Sequence, residues 1–305
     1  MSHSLCGHAG AVLTRRFAVH ARRRARSTDP TRTVMLRRRF EADIVRRFKR
    51  LKREIVKAIV ELDGFGLKVH AAPGSQAFNF PRSGDKVSAF MEWLKREQAA
   101  GILQVRPGTP VRSAAQNSWM NLYIDSAYQR GIAQAGQEFR GAGAQVSDRW
   151  IDAAFNRPVH ADRVGLIYTR AYSELEGITA AMDQQISRIL GRGIAEGRGP
   201  MAIARDINER VDEIGITRAR MLARTEVIAA HADASLNAYE EAGVEGVEVE
   251  AEFSTAGDDQ VCPECEDLEG QVFSLDEARG KIPVHPLCRC AFIPIIADAS
   301  SIVLQ

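Results

Sequence analysis

Two short clusters of metal-ligand residues constrain this chain more than any other feature. They are Cys262-Pro263-Glu264-Cys265 and, after 19 intervening residues, His285-Pro286-Leu287-Cys288-Arg289-Cys290. A C-x2-C turn lets both sulfurs face one point while backbone N–H groups soften the thiolate charge, and a second cluster brought alongside completes a tetrahedron. The spacing is zinc-like, so Zn2+ is the expected cofactor. Five residues, Cys262, Cys265, His285, Cys288 and Cys290, compete for four positions. The favoured set is Cys262, Cys265, His285 and Cys288, because His285-x2-Cys288 repeats the spacing of the first pair; Cys290 can stand in as the fourth ligand. The competing readings are a chance cluster of buried cysteines or a redox pair.

Cys6 is the one remaining cysteine of five, and close cysteine pairs hold a metal more often than a disulfide in a reducing compartment. Charge is unevenly placed. Residues 1–60 carry 17 Lys and Arg against 4 Asp and Glu, a balance of +13, so the remaining 245 residues carry −11 of the overall +2. A basic arm on an acidic body points to contact with nucleic acid or with an acidic protein surface. No run of about 18 apolar residues occurs, and Met1–Leu13 lacks the basic start and apolar centre of a secretory signal, so neither membrane spanning nor secretion is expected.

The expected fold class is α+β, a mostly helical body with a small C-terminal zinc-stabilised β-rich module. Residues 1–36 read as a basic flexible tail, with an extension upstream of a start at Met35 as the competing explanation. From Arg37, residues Phe40, Ile44, Phe48, Leu51, Ile55, Ile59 and Leu62 recur at steps of four and three and predict one helix, with Arg and Lys over most of its other faces. Residues 71–84 read as a loop. Asp85 is placed to cap a second helix that Gly101 stops, and Thr109–Phe139 reads as a third. A Gly-rich stretch near Arg140–Asp148 divides a helical N-terminal region, 37–147, from further helices over 148–243. There Pro200 suits a first helical turn, a helix ends near Gly215, and Thr217 is a candidate cap for the next. Alternation at Val247, Val249, Ala251 and Phe253 then predicts strands within 244–305.

The ordered set Ala223-Arg224-Thr225-Glu226, the Tyr239–Gly243 helix end, Cys262-Pro-Glu-Cys265, Leu268-Glu-Gly270 and His285-Pro-Leu-Cys288-Arg-Cys290 resembles the phage Mu F-like head morphogenesis family. The likeness covers roughly residues 165–296. Phe253 stands ahead of Ser254-Thr255-Ala256-Gly257-Asp258 where the family often has Trp. The resemblance implies a minor capsid protein that associates with the portal and other head proteins inside the virion, reached from the host cytoplasm during assembly, with a role in DNA packaging or delivery. It implies no catalytic activity. Arg224 and Glu226 are expected to bind the zinc module and set its angle to the helix, with a plain solvated pair as the competing reading.

Among other functions, a zinc-dependent hydrolase or toxin-like effector would need an open coordination position and a base, for which Glu264 and Glu266 are the candidates. G-x-S-x-G, H-E-x-x-H and G-x-x-x-x-G-K-[ST] are all missing, so no catalytic residues are assigned. His231 reads as a surface or satisfied residue rather than a ligand. A DNA-reading zinc module is disfavoured because residues 240–280 carry 14 Asp and Glu and a single cation, Arg279; non-specific DNA contact is assigned to residues 1–60.

Overall fold

Phe40, Ile44, Phe48, Leu51, Ile55 and Ile59 are all buried, and they form the inner stripe of α1 (Val34–Val56) and of the π-helical turn Lys57–Glu61 that prolongs it. This computed structural model describes residues 19–20, 28–68, 77–106, 108–243, 249–296 and 303–305. Most of the basic segment before residue 28, Cys6, Pro73 and Val247 lie outside them. The helix α1 starts three residues ahead of Arg37. Asp29 accepts the backbone N–H groups of Val34 (2.9 Å) and Thr33 (3.2 Å), supplying the acceptor that a helix start needs.

α2 (Ser83–Gln98) runs on through a π-helical turn, Ala99–Leu103. Asp85 is therefore not its cap but a first-turn residue after Arg82, and the helix passes Gly101 to end at Gln104, whose φ is +56°. The expected helix over Thr109–Phe139 is two helices, α3 (Val111–Gln116) and α4 (Asn121–Ala142). The break is made by side chains that compete with the backbone ladder. Asn121 Nδ2 donates to the carbonyls of Ala115 and Gln116 at 2.9 Å, and Ser118 Oγ accepts from Met120 N–H.

After a two-residue strand β2 (Gln145–Val146) come α5 (Asp148–Ala154), the long α6 (Pro158–Ala195) and α7 (Pro200–Arg210), which does begin on Pro200. A third π-helical turn, Val211–Ile216, joins α7 directly to α8 (Thr217–Gly243). Thr217 is consequently no cap; its hydroxyl donates back to the Asp212 carbonyl at 3.1 Å. Gly215 is required here because a Cβ would stand 2.7 Å from the Phe48 ring of α1.

α8 is the central element, buried on nearly every side and packed by α1, α4 and α6. Its crossing with α4 is close enough that a Cβ on Gly131 would lie 2.4 Å from the His231 carbonyl oxygen. His231 is thus a core residue, 1% exposed, rather than a surface one.

The remaining strands collect at the C-terminal end. β3 (Val249–Ser254) pairs antiparallel with β5 (Ala291–Ile296), register Val249↔Ile296 to Ser254↔Ala291, and with β4 (Val272–Phe273). β1 (Val19–His20) adds to the other edge of β5, giving the order β1-β5-β3-β4, while β2 pairs in parallel with β6 (Val303–Leu304). Val249, Ala251 and Phe253 are buried as the alternation predicts. The molecule is mostly helical with a few short strands, most of them near its C-terminal end. Among the described residues no helix is long and apolar enough to cross a membrane.

Candidate metal centre

The first ligand pair is built by a one-turn helix, α9 (Pro263–Glu266), whose N-cap is Cys262. Pro263 has no N–H to lose at the first helical position. The Cys262 sulfur accepts the backbone N–H of Cys265 at 3.4 Å, as a capping side chain does, so both sulfurs of the pair are turned to one side. The second pair lies in the turn that closes on a Cys288 N–H to His285 carbonyl bond of 3.1 Å, with Leu287 at φ +70°. Cys290 immediately precedes β5 and so is fixed by the sheet.

These elements gather the five expected donors into two overlapping trios, Cys262–Cys265–His285 and Cys265–Cys288–Cys290; within each trio the ligand atoms lie within 4.8 Å of one another. Cys265 belongs to both. His285 Nε2 is 3.0 Å from the Cys262 sulfur and 3.2 Å from that of Cys265, while its Nδ1 donates to the Pro286 carbonyl at 2.8 Å. That bond leaves Nε2 as the lone-pair nitrogen facing the sulfurs, the orientation that a ligating histidine takes from its outer partner. Cys265, Cys288 and Cys290 are buried, and Cys262 and His285 are half-buried.

Crowding spreads the acidities of these thiols. The Cys265 N–H lowers the Cys262 thiol from its usual value. Cys288, accepting from Cys290, is lowered to about 5, and the same bond together with burial holds Cys290 protonated. Burial and the adjacent Cys288 raise Cys265 to about 12. The Pro286 carbonyl raises His285. Thiols packed this closely share protons unless a cation takes their place, so the group can hold a metal ion by exchanging S–H protons for it.

Several bonds absent from the motif reading lock the centre to the body. Arg289, between the last two cysteines, donates to both carboxylate oxygens of Asp258 at 2.7 and 2.5 Å, tying the second cluster to the turn after β3. Ser274 and Glu277 form a capping box on α10 (Leu275–Ala278). The next residue, Arg279, donates to Asn237 Oδ1 of α8 at 2.9 Å and pairs with Glu240. Asn237 in turn donates to the buried Tyr128 hydroxyl, which is 2.9 Å from His160 Nδ1. The Tyr239 hydroxyl lies 3.1 Å from the Phe292 carbonyl of β5 and 2.9 Å from Glu138. Alternation and spacing carry no sign of such pairs, although the position of Arg289 inside the ligand cluster marks it for attention.

Arg224 and Glu226 do not bind this module. Arg224 donates to Glu41 of α1 at 2.9 Å, and Arg220 reaches the same carboxylate at 3.3 Å. Glu226 accepts from Arg170 of α6 at 2.9 Å. Two residues apart on a helix, they point about 200° apart and serve different neighbours. Pro286 lines the cleft of about 540 Å³ that holds Arg170 and Glu226, so the second cluster lies at that cleft without an ion pair to either motif residue.

No curated protein and no solved structure matches the chain. Residues 184–293, which hold both ligand trios, most of the helical motif-bearing segment and strands β3 to β5 up to Ile293, match the family model described as Phage Mu protein F like protein, so this segment of the chain is similar to that family.

Proposed function

We propose that the protein is a minor head protein of a tailed phage that assembles with the portal inside the capsid, and that one structural Zn2+ holds its C-terminal module. The match over residues 184–293 carries this reading. The donor set supports zinc. In a tetrahedral site with metal–sulfur bonds of about 2.3 Å, neighbouring donors stand roughly 3.8 Å apart. Trios within 4.8 Å and nitrogen–sulfur distances of 3.0 and 3.2 Å need only small shifts to seat such an ion.

Five donors for four positions favour a closed, structural and non-enzymatic site. Glu264 and Glu266, the candidate bases, are both exposed rather than held against the sulfurs. The ion would therefore supply folding free energy. Nucleic-acid contact falls to the basic first 60 residues, since the module is acidic. Mass spectrometry of purified particles, with a pull-down on the portal, tests the reading: the protein should be found in particles and retained by the portal. A protein missing from particles and not held by the portal overturns it.

A further inference from the structure

One face of α1 and the end of the turn after α2 enclose a half-open cavity of about 370 Å³, lined by Asp43, Arg46, Arg47, Arg50, Arg53 and the Ala100–Gly101 backbone with Gln104. We propose that this is a phosphate-binding pocket, in which the four arginines grip phosphodiester groups of a nucleic-acid backbone. The proposal rests on the nucleic-acid contact advanced above and narrows it from 60 residues to one site.

The arginines differ in what they do there. Arg47 is the fixed member. Its guanidinium stacks 3.8 Å over the Trp119 ring and donates to the Gly101 carbonyl at 3.3 Å, which offsets the partial negative charge where that helix ends. Its buried Nε has no hydrogen-bond partner, and Asp43 lies 3.7 Å away, beyond bonding reach. Arg46 shares Asp43. Arg50 and Arg53 are exposed and, among the described residues, have no acidic partner.

Four guanidinium groups against one carboxylate leave a local excess of +3 around the cavity. Burial works most against Arg47's own charge, Asp43 offsets it only in part and Arg46 adds to it, an arrangement that an anion relieves. Arg46, Arg50 and Arg53 follow one another at i, i+4 and i+7, a row about 10 Å long at 1.5 Å per residue. Planar forks with several donors suit phosphate oxygens, and a row suits a chain of phosphates better than a single ion. The mouth is open at Gly101, where even a Cβ would meet nothing within 4 Å. Ordinary solvated arginines would be dispersed around the helix; here they face one concavity with an aromatic support.

The test uses the full-length, metal-loaded chain and a random-sequence DNA duplex, with affinity followed as salt rises from roughly 50 to 200 mM. Arg50→Gln/Arg53→Gln is compared with Arg188→Gln/Arg192→Gln, which removes the same charge from exposed positions on α6. If two phosphate contacts are lost, the slope of log affinity against log salt becomes shallower by about 2 for the first pair, with a much smaller change for the second. Equal changes in both variants, or none in either, overturn the pocket. Undiminished duplex binding with lost binding to polyglutamate overturns it in favour of an acidic protein surface. Helical circular dichroism confirms that both variants are folded. The measurement needs no particle, so a failed pocket and a failed head-protein reading give separate results.

Discussion

Gly131→Ala tests the crossing of α4 and α8, the two helices against which β5 packs. An alanine in a helix interior is favoured over glycine by about 1 kcal/mol, so propensity alone predicts stabilisation. Contact predicts the reverse. The added Cβ would stand 2.4 Å from the His231 carbonyl oxygen and 2.7 Å from the Ala234 Cβ, whereas ordinary contact begins at 3.4 Å, so α4 and α8 must separate by about 1 Å. Both opposing atoms belong to backbone or Cβ and cannot rotate away, which puts the overpacking cost near the top of its usual range, about 3 kcal/mol. The net expectation is a loss of about 2 kcal/mol, or roughly 4–8 °C in Tm. Gly165→Ala on α6 is the matched control: a Cβ there meets nothing within 4 Å, and it should gain about 0.5–1 kcal/mol. Urea and thermal melts of both variants give the comparison. Gly131→Ala equal to or more stable than Gly165→Ala would refute the crossing geometry.

Two further outcomes follow from the site and its supports. The purified chain should carry about one zinc, and Cys265→Ser, which breaks both trios, should lose it and make residues 249–296 protease-sensitive while the helices largely persist; unchanged metal content or protease resistance would refute a structural role. Glu226 has its pKa raised chiefly by burial, only partly offset by Arg170. Its folded value therefore lies above its unfolded one, the folded state binds more protons between the two, and stability falls as pH rises through that window. Glu226→Gln should flatten this fall and be near neutral or stabilising at pH 7; denaturant midpoints across the weakly acidic range decide it, and a variant whose decline matches the parent's would count against the burial argument.

The elements most legible in the sequence are those whose residues are paid for locally by periodic burial. The α1 stripe, Pro200 at a helix start and the β3 alternation needed only spacing. Three errors share one cause: Gly101, Gly215 and Thr217 read as stops or caps, yet each helix passes them through a π-helical turn. Such a turn shifts the face by one residue so that Phe48 can nest on Gly215, a tertiary reason that local propensity does not carry. The break at Asn117–Met120 was likewise hidden, because it depends on Asn121 reaching back to two carbonyls. At the candidate centre, spacing named the five residues that the fold brings together. It did not name the grouping around Cys265, because that depends on how α9 and β5 approach each other.

The misplacement of Arg224 and Glu226 explains what the helical motif is for. Arg224 ties α8 to α1 through Glu41, and Glu226 ties it to α6 through Arg170, so the motif fixes α8 within the bundle rather than touching the module. Further along the same helix, Asn237 and Tyr239 take up that task through Arg279 and the Phe292 carbonyl. The two sets are more than three turns apart, so one end of α8 is held to the bundle and the other to the C-terminal module. At the start of α1 burial works most against the charge of Arg37, the guanidinium groups of Arg224 and Arg289 add to that effect, and Asp29 offsets it by a direct bond.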